Sequence, residues 1–261
     1  VQFAQEFIQS LLPGLSAGML AMLALTIFVA GLARGFSGFG AALIFIPLAS
    51  ALIGPKLASP VLLVIDMVAA AGLLPNAVAK ANRRDVGAMT AGALLGVPAG
   101  AVLLTMADPT LVRWIISLTA AAFLLLLMSG WRYSGKPSVP VASGVGLVAG
   151  LYSGAAQLGG PPVVAYWLGG RSNPDMVRAN VVLYFAISSV ISAVSYAFAG
   201  LLVRDVFILA LVCGPIYALG LTIGARLFGL VSDRVFRFIC YGLIGLAALT
   251  SLPLFDPWIR G

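Results

Sequence analysis

Histidine is absent from the 261 residues. With it go the commonest metal ligand, the commonest general base and the one side chain that titrates near neutral pH. Cysteine is almost as scarce. Cys213 and Cys240 both fall inside apolar stretches, offer neither a metal spacing nor a disulfide framework, and read as small packing residues. Charge is the third shortage: 9% of residues are charged, against about 25% in an ordinary soluble domain. Too few polar side chains remain to cover a soluble surface. A nucleophile–base pair or metal cluster within the apolar stretches is also missing, so neither an enzyme nor a cofactor is expected.

Apolar residues make up 61% of the chain. They run in blocks of about 15–20, the length a helix needs to cross a hydrocarbon core about 30 Å thick. The blocks do not alternate apolar with polar residues, which argues against a transmembrane barrel. Helices then remain as the way to satisfy backbone polar groups in lipid. The net charge of +7 is scattered singly between the blocks and forms no basic patch, so lipid rather than nucleic acid is the expected environment. Glu6 is the one charge in residues 1–10, which lack the basic region of a cleavable signal.

The chain repeats itself. Ser37-Gly38 in a glycine-rich stretch is followed by Lys56-Leu57-Ala58-Ser59, Arg84-Asp85-Val86 and Leu111-Val112-Arg113-Trp114-Ile115. The second half answers in order with Ser153-Gly154, Val177-Arg178-Ala179-Asn180, Arg204-Asp205-Val206 and Val235-Phe236-Arg237-Phe238-Ile239. The offset stays near about 120 residues, too long for a solenoid unit and suited to a duplicated transporter half. Each half holds five apolar segments. They are expected at 15–32, 38–53, 57–74, 86–104 and 111–129, then at 141–150, 154–168, 181–199, 206–228 and 235–252. Segments 141–150 and 154–168 look too short to cross, so the first two segments of each half can be drawn as a re-entrant hairpin or as a full span plus a short helix.

One set of loops carries Lys80, Arg83, Arg84, Arg132, Lys136, Arg171, Arg178, Arg226, Arg234 and Arg237. The opposite set carries fewer: Lys56, Arg113, Arg204 and Arg260. The richer set is expected in the cytoplasm, which puts both termini outside. Five segments per half then make the duplication an inverted repeat. The expected organisation is an extracytoplasmic segment at 1–14, a first transmembrane repeat at 15–130, a cytoplasmic linker at 131–140, a second repeat at 141–253 and an extracytoplasmic tail at 254–261. The fold class is an all-α polytopic membrane protein. Its two inverted repeats would bring glycine-rich broken or re-entrant helices together near the midplane.

Chemistry is expected at the two glycine-rich breaks, residues 31–40 and 150–162. Irregular backbone at membrane depth persists only where protein buries it or a wet cavity receives it. A helix starting from such a break turns free amides and its positive end toward the cavity. Two of them would make an anion site near the midplane. The expected binding residues are Gly35, Ser37, Gly38 and Gly40 in the first break. In the second they are Tyr152, Ser153, Gly154, Gln157, Gly159 and Gly160, with Pro161 suited to a first helical turn. Gly-xxx-Gly spacings elsewhere read as helix packing. Arg34 reads two ways, as a cation facing the anion or as a topology charge that snorkels to the surface. The second gains if its segment crosses fully.

Asp66 is the one acid inside an expected span, and burying its charge is costly. It is the candidate for proton coupling, or else pairs with Arg34 to hold the fold. Ser59 and Asn180 occupy matching positions at the expected starts of their helices, as N-caps or as further binding residues. Tyr166 and Trp167 read as packing or interfacial anchors.

The stretch Gly35-Phe36-Ser37-Gly38-Phe39-Gly40 entering residues 41–47, and its counterpart at 153–162, resemble the TauE/SafE sulfite exporter family. The chain length, the duplication and the repeated Arg-Asp-Val extend that resemblance over about residues 15–252. Phe39 and Gln157-Leu158 depart from the denser glycine run expected there. The resemblance implies a secondary carrier in a bacterial inner membrane, moving sulfite, a short organosulfonate or a related small anion by alternating access. The alternative is a carrier or channel for another small organic anion, such as a short carboxylate.

Overall fold

The computed structural model describes residues 15–37, 40–135, 138–169, 173–227 and 233–255. Every regular element among them is helical. In chain order they are α1 (Ala17–Ser37), α2 (Ala41–Ile53), α3 (Pro55–Ala70), α4 (Leu74–Lys80), α5 (Arg83–Met106), α6 (Pro109–Ser129), α7 (Val139–Ala156), α8 (Gly160–Leu168), α9 (Pro174–Phe198), α10 (Arg204–Leu227) and α11 (Asp233–Thr250). A short 3-10 turn, Ala71–Leu73, joins α3 to α4, so Pro55–Lys80 acts as one span. Among the described residues, seven helices are long and apolar enough to cross a membrane; Ala41–Ile53 and Phe238–Thr250 are apolar but shorter. Leu95, Met106, Leu125, Phe198 and Leu211 lie exposed on the helix surfaces, where lipid rather than water suits them.

One sequence expectation fails on length. Residues 141–150 are the middle of α7, which runs from Val139 to Ala156 and has 18 residues. Glycine and serine at 150–154 looked like a break because both are poor helix formers in water. In α7 Gly150 and Gly154 are the small residues that let a neighbouring helix approach.

The described residues fall into two compact units, and each draws helices from both sequence halves. The first takes those of Val1–Ile65, Pro109–Ala121 and Leu202–Gly261; the second takes Asp66–Asp108 and Ala122–Leu201. In the first unit α1 lies against α10, and α2 against α1 and α11. The α1–α10 contact is backbone to backbone. A Cβ at Gly31 or Gly35 would overlap the carbonyls of Tyr217 or Leu221, and one at Gly220 or Gly224 those of Phe28 or Leu32.

Arg113 was expected in a loop. It is instead 3% exposed on α6, where its guanidinium donates to the Ser251 carbonyl at 3.1 Å. The Ser117 and Ser251 hydroxyls meet at 2.8 Å. A cation at the carboxyl end of α11 meets the negative pole of that helix.

In the second unit α5 and α7 form the most extensive contact, again through glycine. A Cβ at Gly92, Gly96 or Gly100 would strike the backbone of α7, and one at Gly146 or Gly154 that of α5. Close approach of small residues is how helices associate where water supplies no driving force. The Ser143 hydroxyl then donates across the contact to the Ala88 carbonyl at 2.8 Å. The core around this pair includes Met89, Val97, Ala149, Val163, Trp167 and Tyr184.

Candidate functional site

The second break is three residues long. Gln157 ends α7 in the left-handed region (φ 57°), where it stands alone among the described non-glycine residues. Such a conformation costs a residue with a Cβ roughly 1–2 kcal/mol, so the surroundings must hold it. They do so with hydrogen bonds. The Gln157 amide donates to the Ser153 carbonyl at 2.8 Å, and Leu158 N–H turns back to Tyr152 at 3.1 Å. Gln157 Nε2 donates to Ser153 O at 2.9 Å and to the Tyr196 hydroxyl at 3.3 Å. Tyr196, fully buried on α9, donates in turn to the Gly154 carbonyl at 2.8 Å. Sequence reasoning missed Tyr196. Its signal was a tyrosine inside an apolar span, four residues beyond Ser192.

Beyond the break α8 begins with no side-chain cap and with prolines in its first turn. Pro161 and Pro162 delete two of the four amides that a helix start leaves unpaired. Gly159 and Gly160 keep theirs. A Cβ at Gly159 would collide with Ser153 Oγ and the Ala149 carbonyl, while the space beside Gly160 is open. Ser153 and Gly154 lie inside the helix, and Tyr152 stacks edge-on against Phe123 with centroids 5.1 Å apart.

In the first break, Gly38 and Phe39 lie outside the described residues, as does the Ser37 side chain. Gly40, with φ 98°, precedes α2, which has no side-chain cap. Leu43 N–H closes onto the Gly40 carbonyl at 3.1 Å, so the amides of Gly40, Ala41 and Ala42 are the ones this start leaves open. Arg34 stands in the last turn of α1, a helix long enough to cross, and is half-buried. Gly35 packs against the backbone of α10.

Asp66 is half-buried in the Pro55–Lys80 span, just ahead of the 3-10 turn. Ser59 and Asn180 do not cap their own helices. Pro55 starts α3 and Pro174 starts α9, so both residues lie at least one turn inside. Asn180 is 2% exposed and serves another helix: its Oδ1 accepts the Asn82 amide at 2.7 Å. Asn82 then caps α5 through Arg84 N–H at 3.1 Å and Asp85 N–H at 3.3 Å. Ser59 is fully buried and its hydroxyl has no hydrogen-bond partner. Tyr166 and Trp167 are buried in an aromatic cluster rather than standing at a surface. No group of His, Cys, Asp and Glu able to hold a metal occurs among the described residues.

Many apolar spans, packed through glycine and interrupted by short uncapped helices, define a multi-pass helical membrane protein. The profile of the sulfite exporter TauE/SafE family matches residues 23–251, and the chain belongs to that family, whose members are membrane transporters rather than enzymes. It is also similar to a probable sulfite/organosulfonate exporter TauE from Cupriavidus necator. The two are 27% identical over 240 residues, covering 85% of this chain and 90% of the relative. No solved structure matches it.

Proposed function

We propose that the chain is a secondary transporter carrying a small sulfur-containing anion, sulfite or a short organosulfonate, across a bacterial inner membrane by alternating access. The observation that carries this reading is the family match over residues 23–251, with the related exporter from Cupriavidus necator supplying the substrate class.

The chemistry of the breaks supports it. The start of α2 presents open amides at Gly40, Ala41 and Ala42, and the start of α8 presents them at Gly159 and Gly160. Both are positive helix ends with neutral donors, which suit an oxyanion without trapping it. Arg34, Ser37, Ser59, Tyr152, Ser153, Gln157 and Asn180, with Gly35, Gly38 and Gly154, complete the proposed binding set. Asp66 carries the coupled proton. The halves are an inverted repeat, and both ends of the chain are extracytoplasmic. A recurring pairing supports the repeat: the first long helix of each half packs through glycine on the fourth of the other, α1 on α10 and α7 on α5.

The test is uptake into proteoliposomes of radiolabelled sulfite, a two-carbon sulfonate and a short carboxylate, with and without an imposed proton gradient. Gradient-stimulated uptake of a sulfur anion, lost in Asp66→Asn, is the expected result. Uptake of the carboxylate alone would move the substrate class to organic acids. No uptake by folded protein would end the transporter assignment for these anions.

A further inference from the structure

Two spans of the second unit meet at a short turn. Pro55–Lys80 ends there and Arg83–Met106 begins, so Ala81 and Asn82 alone separate Lys80 from Arg83 and Arg84. Cations this close in sequence lie no more than about 14 Å apart even on an extended chain. All three are exposed. The turn between them is fixed. Asn82 N–H donates to Asn180 Oδ1 of α9 at 2.7 Å, and Asn82 Oδ1 accepts from Arg84 N–H at 3.1 Å and Asp85 N–H at 3.3 Å. Helix α9 packs on both α4 and α5, which secures each side of the turn.

The charge is placed against local preference. A helix start favours acids over cations, yet α5 opens on two arginines. Asp85, the one acid in its first turn, is half-buried, and its Oδ2 accepts from Asn82 Nδ2 at 3.2 Å. The positive pole of α5 therefore adds to the three cations at one corner. Below them the exposed face of α5 changes character. Residues three and four apart share a helix face, and Arg83 and Arg84 are followed on theirs by Gly87, Ala91, Leu94 and Leu95, all exposed. The space beside Gly87 is open, and Leu94 and Leu95 are 55% and 71% exposed. Arg83 to Leu95 spans about 18 Å, close to one leaflet's share of a hydrocarbon core about 30 Å thick. Cations, then small residues, then leucines trace the outline of one phospholipid: phosphate, glycerol and acyl chain.

We propose that Lys80, Arg83 and Arg84 hold the phosphate of an anionic phospholipid, whose glycerol and acyl chains lie along Gly87, Ala91 and Leu95 of α5. Guanidinium forks match phosphate oxygens. Cations fixed beside a positive helix pole select a head group of net negative charge over a zwitterionic one. A topology signal needs only that cations stand on one side of a span; it requires neither a rigid turn nor an open face beneath it. The inference stands apart from the cargo and from both glycine-rich breaks.

The test titrates the full chain, delipidated in detergent, with phosphatidylglycerol and with phosphatidylcholine, and counts bound lipid by native mass spectrometry. Phosphatidylglycerol should bind the more tightly, and added salt should weaken it. Arg83→Gln with Arg84→Gln should weaken it roughly 30-fold, from about 1 kcal/mol for each cation, and leave phosphatidylcholine unchanged. Arg204→Gln with Arg226→Gln removes the same charge from exposed positions on α10 and should bind as wild type. Gly87→Leu, with open space around it, folds without strain and fills the place beside the head group. It should weaken phosphatidylglycerol severalfold at unchanged charge, which keeps the test decisive should the arginine pair fail to fold. Equal weakening by the two arginine pairs would reduce the effect to net charge and overturn the proposal. Unaltered affinity in Gly87→Leu, or no preference for phosphatidylglycerol in wild type, would overturn it as well. So would sn-glycerol 3-phosphate bound as tightly as the lipid, which would make the ligand a soluble anion.

Discussion

Replacing Tyr196 with phenylalanine removes one oxygen and almost no volume, and that oxygen fastens the end of α7. In an unbroken helix the Gly154 carbonyl would accept from Leu158 N–H. That amide has turned back to Tyr152 at 3.1 Å, and the Tyr196 hydroxyl takes its place at 2.8 Å. Phenylalanine leaves the carbonyl buried without this donor, a loss of about 1–3 kcal/mol. For a chain of this size that corresponds to a fall in Tm of roughly 3–8 °C, readable by intrinsic-fluorescence melting in detergent. Gln157 provides the second arm. Gln157→Ala loses the side-chain bonds and keeps the left-handed backbone, whereas Gln157→Gly loses them but gains about 1 kcal/mol from relaxed backbone. Gln157→Gly should therefore melt above Gln157→Ala, with Tyr196→Phe below wild type. A Tyr196→Phe protein melting with wild type, or alanine and glycine indistinguishable at 157, would refute this account of the break.

Helix packing gives a sharper contrast. Gly96→Leu drives a side chain into the Leu147 carbonyl of α7 and should abolish monodisperse protein on size exclusion, since overpacking with no flexible neighbour costs about 3 kcal/mol or more. Gly87→Leu, on the same helix with open space around it, should express as wild type. Asn180→Ala should strand the Asn82 amide at the start of α5 and lower Tm by an amount corresponding to about 1–3 kcal/mol; Asn180→Asp, which keeps the acceptor oxygen, should recover part of it. Arg113→Ala should destabilise the end of α11, seen as faster backbone hydrogen exchange around residues 246–251 than in wild type.

Composition alone made the multi-pass helical class legible, because 61% apolar and 9% charged residues leave few alternatives. The order of the glycine-rich stretches pointed to the family. Local boundaries were harder. Gly150, Ser153 and Gly154 carry the same residue types as a break, and only the contact of Gly150 and Gly154 with α5 shows that these two glycines pack a helix. The true turn is made by Gln157, a residue whose left-handed backbone no propensity would suggest and which Tyr196 holds from another helix. Asn180 and Arg113 misled for the same reason. A capping side chain and a surface charge are read from sequence neighbours, whereas these two act on Asn82 and Ser251 across the fold. What sequence shows is which residues can cap, pack or carry charge; which partner each meets is decided by helices far apart in the chain.

The central claim, a carrier of small sulfur oxyanions, is tested most directly by counterflow. Proteoliposomes loaded with unlabelled sulfite and diluted into a trace of labelled sulfite should accumulate label transiently above equilibrium, because one binding site must return occupied from each side. Label that only equilibrates would mean a channel, and label that never enters would contradict the substrate itself.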